Sequence, residues 1–200
     1  MSEKAEQGRR LGFLGGSFDP VHMGHLIAAQ DAFDSMALEK VVFVPTSQSP
    51  LKDTSPFITD DQRLELLQAA IAGDQRFEIS MVELDRKGVS YTFDTVEYLS
   101  AAKPDARLFW IIGADRAASL NAWHRIDELA SRVEFIVLGR PGFRWRPPDL
   151  HSGIRIHSID AHTCHVSSSE IRRRARENQS LRFFVPDGVA TLITRLHLYR

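Results

Sequence analysis

Short apolar runs alternate with helical patterns along nearly the whole chain, and this alternation constrains the fold more than any other feature. Several runs are apolar at every position, such as Val41–Val44 and Phe109–Ile112, which is typical of strands covered on both faces. The pattern predicts an α/β fold: a Rossmann-like, doubly wound, mainly parallel sheet of about six strands with helices on both faces. The predicted strands are Arg10–Leu14, Lys40–Val44, Phe77–Ser80, Arg107–Ile112, Glu134–Leu138 and Ile154–Ser158.

Helices are predicted in the gaps between these strands. A T-x-x-Q capping box at Thr59 opens the second of them. Later helices are predicted over Thr92–Ala102 and from Ser167 and Asp187 onward. In the first helix, one face is predicted to carry Leu26, Ala29, Phe33 and Ala37.

Composition is that of an ordinary globular protein. Of the 200 residues, 43% are hydrophobic and 26% charged, which suits one domain, predicted over residues 8–200, after a flexible extension at residues 1–7. A formal net charge of −1 provides no basic field to attract nucleic acid. The single cysteine, Cys164, rules out an internal disulfide, and no apolar run approaches the ~20 residues of a membrane span. We therefore expect a cytoplasmic protein that binds neither nucleic acid nor membranes.

A dense motif, GGSFDPVHMGH, lies between the first predicted strand and the first predicted helix. Gly15 and Gly16 are predicted to form a turn in which backbone amides can approach an anion. His22 and His25 are three residues apart and would share a helix face, with Gly24 keeping the surface between them open. Because a helix N-terminus adds N–H groups and a positive dipole, the motif predicts a polyphosphate site with hydrogen-bonding imidazoles whose charged form the phosphates favour.

Two simpler interpretations of this motif stay open. One is a glycine turn followed by surface or capping histidines, which the strand-to-helix context disfavours. The other is a zinc site, but H-x-x-H supplies only two ligands and Cys164 with His165 adds too little to complete one. No metal site is therefore predicted.

Two further motifs follow predicted strands. Serines at the start of the helix from Ser167 would present hydroxyls and amides to an anion, and Arg172 would add a bidentate donor; an ordinary N-cap is the alternative. Gly113 permits a tight turn before Asp115, which would accept from ribose hydroxyls or cap a helix. Because carboxyl ends of parallel strands share one edge, we expect all three motifs to meet at a crevice between the first and fourth strands. A solvated basic face is predicted for Arg173, Arg174 and Arg176.

GGSFDPVHMGH and SSSEIR resemble the paired signatures of nucleotidyltransferases with a histidine–glycine–histidine motif. Within that superfamily the chain resembles the bacterial nicotinate-nucleotide adenylyltransferases, with further matches spread over nearly the whole chain: SYTFDT, IGAD, Leu120 with Trp123, RPG and VP. The resemblance implies adenylyl transfer from ATP to nicotinate mononucleotide in NAD biosynthesis, giving nicotinate adenine dinucleotide and pyrophosphate. It also implies Mg²⁺ bound with the ATP and not by a dedicated protein site.

The same resemblance implies roles for individual residues. The catalytic residues would be His22, His25 and Arg172. ATP would be bound by Gly15, Gly16, Ser17, Phe18, Gly24, Gly113, Asp115, Ser168 and Ser169. The mononucleotide would be bound by Ser17, Lys52, Thr92, Trp123, His124 and Arg140, with Trp123 stacked on the pyridine ring.

The sequence departs from the family pattern at two positions. Ser17 stands where threonine is common and keeps the hydroxyl, whereas Leu51 stands where histidine is frequent and removes one expected phosphate contact. Lys52, the next residue, remains.

Alternative functions are nucleotidyl transfer to another phosphate monoester (nicotinamide mononucleotide, phosphopantetheine or glycerol 3-phosphate), and nucleotide binding without turnover.

Overall fold

The structure, a computed structural model, describes residues 8–48, 56–139 and 153–200. All six predicted strands are present, with ends that shift by at most two residues. None of the helices in these ranges is long and apolar enough to cross a membrane. In chain order the elements are β1 Arg9–Gly16, α1 Met23–Ser35, β2 Lys40–Pro45, α2 Asp60–Ile71, β3 Phe77–Ile79, α3 Val82–Arg86, α4 Thr92–Ala102, β4 Ala106–Gly113, α5 Ala114–Ala117, a 3₁₀ turn Leu120–Ala122, α6 Ile126–Ala130, β5 Glu134–Gly139, β6 Ile156–Asp160, α7 Ser168–Arg176 and α8 Asp187–Arg195.

The six strands form one parallel sheet in the order β3-β2-β1-β4-β5-β6. The direction of strand order reverses between β1 and β4, which are direct neighbours with Leu14 opposite Ile111. Sheets of this kind bind ligands beyond the carboxyl ends of the strands at the reversal. The Rossmann-like prediction and its crevice between the first and fourth strands are confirmed.

Successive side chains of β1 enter two different cores, as the pleat of a strand requires. Phe13 packs with Trp110 on the face covered by α4, α5 and α6. Leu14 packs with Phe43 on the face covered by α1, α2, α7 and α8. The prediction of helices on both faces is confirmed.

The two glycines of the first motif are not in a turn, which corrects one prediction. Gly15 and Gly16 continue β1 and pair with β2. A Cβ on Gly15 would lie 2.9 Å from Cζ2 of the buried Trp110, so close packing requires glycine there. The residue with left-handed backbone in the following loop is Phe18, at φ 45°.

Helix α1 ends earlier than its apolar pattern predicts. It stops at Ser35, and Ala37 lies beyond it, exposed, at φ 46°. Leu38 is buried just after this turn. The short helices α3, α5 and α6 were not predicted because four or five residues are too few to show a helical period.

Candidate active site

The two motif histidines stack on each other at the N-terminal end of α1. Their ring centroids are 3.7 Å apart and their planes differ by 26°. His22 caps the helix and its backbone N–H donates to Nδ1 of His25 at 3.2 Å. Because Nδ1 accepts, a neutral His25 carries its proton on Nε2 and offers it as a donor.

His22 is almost fully buried, with 8% of its surface exposed. Its Nδ1 has no hydrogen-bond partner among the described residues, and burial lowers its pKa to about 4. A Cβ on Gly24 would lie 3.0 Å from this Nδ1 and 3.5 Å from Sγ of Cys164, so glycine leaves room for the ring. Burial thus opposes the charged form of His22, while the effect of a bound polyphosphate on the two imidazoles stays a prediction.

The buried His22 predicts a pH-dependent stability. Between pH 6.5 and about 4 the unfolded chain binds a proton on His22 that the folded chain does not. The free energy of unfolding should therefore fall as the pH is lowered through this window, by up to about 3 kcal/mol. Chemical denaturation of the wild type and of His22→Gln at several pH values measures this contribution. The stability difference between the two proteins should change over this window, and a constant difference would contradict the assignment.

The start of α7 is bonded to the loop that leads to the histidines. Oγ of Ser168 donates to the Pro20 carbonyl at 2.9 Å. Arg172 donates through Nη1 to the Asp19 carbonyl at 2.6 Å and through Nη2 to Oγ of Ser169 at 3.2 Å. The guanidinium is thus held in a fixed orientation beside the first motif, and the predicted meeting of the two motifs is confirmed.

Asp19 links this region to two distant segments. It is 3% exposed, and its carboxylate accepts from the Phe57 backbone N–H at 2.7 Å and from the Tyr199 hydroxyl at 2.9 Å. Burial and the Asp19 carboxylate both raise the pKa of Tyr199 above its usual range. The Phe57 ring in turn lies 4.3 Å from the Arg172 guanidinium. Sequence analysis gave Asp19 no separate role, and nothing near Tyr199 signalled its long-range contact.

A buried arginine joins the ends of β1 and β2. Arg63 is 0% exposed, and its Nη1 donates to the carbonyls of Ser17 at 2.7 Å and Thr46 at 2.8 Å. Nη2 donates to Asp60 at 2.6 Å. Sequence analysis missed Arg63 because a helical arginine is assigned to solvent by default; its only signal is helical spacing with the buried Leu66.

A cavity of about 560 Å³ opens at the carboxyl ends of β1 and β4. The exposed rings of Tyr91 and His124 lie 4.5 Å apart along it. Trp123 packs edge-on against Phe135 at 6.1 Å, and its Nε1 is buried with no partner in the described segments. The cavity therefore has aromatic walls, as ligand pockets do. Of the predicted site residues it is lined by Gly15, Gly16, Ser17, Thr92, Gly113, Trp123 and His124.

The remaining predicted residues lie in other positions. The Phe18 side chain is 1% exposed and contacts the His25 ring at 5.0 Å, so only its backbone can face a ligand. Asp115 is exposed at the start of α5 and turns back over Gly113. Lys52 and Arg140 lie outside the described residues.

The basic run of α7 is only partly a solvated face. Arg173 is paired with Glu170 and Glu177 along the helix. Arg174 corrects the prediction, since its side chain is only 23% exposed and its guanidinium lies 4.3 Å from the Phe184 ring. Arg173 and Arg176 are exposed, as predicted, and only Arg174 of the three packs against the protein.

The chain matches a known protein family and is similar to curated proteins over nearly its whole length. Residues 13–174 match the family model described as cytidylyltransferase-like. A probable nicotinate-nucleotide adenylyltransferase of Opitutus terrae is 46% identical over 96% of this chain and 98% of its own length. Another, of Geobacillus thermodenitrificans, is 40% identical over 95% and 86%. The solved Plasmodium falciparum nicotinic acid mononucleotide adenylyltransferase complexed with NaAD aligns with a TM-score of 0.73 at 16% identity, over 96% of this chain and 97% of that one, and shares the fold.

Proposed function

The chain belongs to the nicotinate-nucleotide adenylyltransferases of the cytidylyltransferase-like family, and we propose that it transfers the adenylyl group of ATP to nicotinate mononucleotide. The products are nicotinate adenine dinucleotide and pyrophosphate, a step of NAD biosynthesis. The supporting observation is one continuous crevice: Gly15–Ser17 line the cavity that holds Trp123 and lead directly into the loop of the stacked histidines. A mononucleotide in the cavity would thus place its phosphate beside a triphosphate at the histidines.

The reaction requires alignment and charge neutralisation more than proton transfer. The second pKa of a phosphate monoester is about 6, so the attacking oxygen is already ionised at neutral pH. That oxygen forms a bond to the α-phosphorus of ATP, the bond to the bridging oxygen breaks, and pyrophosphate leaves with the electron pair. Nε2 of His25 and the guanidinium of Arg172 are the donors that we assign to the negative charge on the phosphates.

We assign Mg²⁺ to the ATP itself. Within residues 8–48, 56–139 and 153–200 there is no cluster of three histidine, cysteine or carboxylate side chains that would suit a metal ion. When bound, the ion neutralises charge on the phosphate oxygens. The protein residues supply the fixed donors around it. We also assign the reaction to the cytoplasm. The sequence has a single cysteine, which is consistent with a reducing compartment.

The direct test of this function is pyrophosphate release. The purified protein is mixed with ATP, Mg²⁺ and nicotinate mononucleotide, and the dinucleotide is identified by mass. Turnover with nicotinate mononucleotide is expected. Turnover only with phosphopantetheine or glycerol 3-phosphate, or nucleotide binding without turnover, would refute the assignment.

A preference for the acid over the amide substrate is the next prediction. Thr92, the first residue of α4, lines the cavity beside Trp123 and His124, so the N-terminal end of this 11-residue helix faces the ligand. Helix N-termini favour anions by up to about 2 kcal/mol, which corresponds to a preference of up to about thirtyfold in kcat/KM. An assay in which nicotinate and nicotinamide mononucleotides compete measures the ratio of their kcat/KM values. Equal values would contradict the prediction.

A further inference from the structure

A largely exposed aromatic ring lies against the arginine that we assign to the phosphates. Cζ of Arg172 is 4.3 Å from the centroid of the Phe57 ring. This is well within the distance of about 6 Å at which a guanidinium over an aromatic face is attracted to it. Phe57 is 63% exposed, so it contributes little to the core. The mechanism described so far gives this ring no role, although it contacts a side chain of the site.

Asp19 holds both members of this pair. Its carboxylate accepts from the backbone N–H of Phe57 at 2.7 Å, and its backbone carbonyl accepts from Nη1 of Arg172 at 2.6 Å. The second carboxylate oxygen accepts from the hydroxyl of Tyr199 at 2.9 Å, and Asp19 itself is buried. Because one buried residue is bonded to both partners, the ring and the guanidinium have a fixed position relative to each other.

The backbone that follows Phe57 is anchored as well. Ile58 packs against the buried core. Thr59 caps the N-terminus of α2, and its hydroxyl accepts from the backbone N–H of Gln62 at 3.2 Å. Phe57 therefore belongs to a segment that is held on both sides, which allows a largely exposed ring to keep one position.

The guanidinium of Arg172 benefits from such a support. It has five N–H groups, of which one on Nη1 donates to Asp19 and one on Nη2 donates to Ser169, so further N–H groups can meet phosphate oxygens. An arginine side chain has many rotamers. A guanidinium that is already fixed when ATP binds therefore stabilises charge in the transition state better than a mobile one.

We propose that Phe57 is a positioning residue for Arg172, and that its ring holds the guanidinium in the orientation that the triphosphate of ATP requires. The proposal rests on the proposed function. Phe57 acts without contact to the reacting atoms, and its effect on the reaction passes through the guanidinium. Another aromatic residue should serve at this position, because the attraction comes from the face of the ring.

The first test replaces Phe57 by leucine, which keeps an apolar side chain but removes the aromatic face. At saturating substrates, kcat for pyrophosphate release should fall by about threefold to thirtyfold, the range of a cation–π attraction. KM for nicotinate mononucleotide should stay unchanged, and Phe57→Tyr should restore most of the wild-type kcat. Phe183→Leu is the matched control with unchanged kcat, because the Phe183 ring is 80% exposed and lies 4.8 Å from a different arginine, Arg182.

The second test asks whether Phe57 acts through Arg172. Arg172→Ala should lower kcat by about 10²–10³, and Phe57→Leu should cause little further loss in that background. Since the Phe57 ring is largely exposed, Phe57→Leu should unfold at the wild-type midpoint. Phe57→Met, which also lacks a ring, should behave in the same way and provides the comparison if the leucine protein is unstable.

The other outcomes overturn the proposal or the function on which it rests. A Phe57→Leu enzyme with wild-type kcat, or a tyrosine variant as slow as the leucine variant, would show that the aromatic face has no such role. An equal loss with and without the Arg172 guanidinium would also overturn the proposal, since Phe57 would then act on the nucleotide directly. Absence of wild-type turnover with nicotinate mononucleotide refutes the proposed function itself, whereas normal turnover by Phe57→Leu refutes only the role of Phe57.

Discussion

Replacement of His25 by alanine is expected to lower kcat by about 10²–10³ while the protein remains folded. The expected loss is that of one preorganised donor aimed at charge that develops in the transition state. His25 qualifies because its Nδ1 is occupied by the His22 backbone N–H at 3.2 Å, which directs the proton to Nε2. The ring is further fixed by the His22 stack at 3.7 Å and the Phe18 edge at 5.0 Å.

His25→Asn separates the two functions of the side chain. The asparagine carbonyl can accept from the His22 N–H as Nδ1 does, but asparagine lacks the reach of Nε2. Both variants should therefore lose kcat to a similar extent, with the asparagine protein closer to wild type in thermal stability. The measurement is pyrophosphate release at saturating ATP and nicotinate mononucleotide, together with the unfolding midpoint. A His25→Asn enzyme within about threefold of wild-type kcat would show that the ring only shapes the loop.

The same pair of histidines shows what the sequence could predict about the site and what it could not. Their three-residue spacing predicted a shared helix face, and the rings stack on each other although His22 caps the helix and is not part of it. The lowered pKa of His22 was not predictable, because it depends on burial by chain segments distant in sequence. Cys164, for example, comes from the segment between β6 and α7 and lies near the buried His22 ring. A local pattern thus located the pair but did not determine its charge.

The fold was more predictable than the site because apolar runs report burial directly. The strands β2, β4 and β5 contain short, strongly apolar runs, and the parallel order follows from the alternation with helices. Gly15 shows the limit of such patterns. The sequence predicted a turn at this glycine, whereas glycine is required there because Trp110 of the adjacent strand leaves no room for a side chain. Asp19 and Tyr199, 180 positions apart, share a hydrogen bond that no local window contains.

Replacement of Arg63 by methionine is expected to lower the free energy of unfolding by about 3–5 kcal/mol. It should also lower activity, because the shape of the crevice changes and not because the chemical step is affected. The guanidinium is fully buried and donates to Ser17, Thr46 and Asp60. Methionine fills similar volume but leaves the two carbonyls without these donors. Since Ser17 and Thr46 follow the adjacent strands β1 and β2 and both line the cavity, the substitution should also raise KM for the mononucleotide.

Arg195→Met provides the matched control for that substitution. Arg195 on α8 also pairs with an acid of α2, Glu65, at 3.1 Å, but its side chain is 63% exposed. Surface pairs of this kind contribute at most about 1 kcal/mol, so this variant should remain close to wild type in stability and in KM. Urea unfolding of both variants and a KM determination for each substrate complete the test. If Arg63→Met were no less stable than Arg195→Met, the buried guanidinium could not be what holds the ends of β1 and β2 together, and their spacing would have to come from the strand pairing alone.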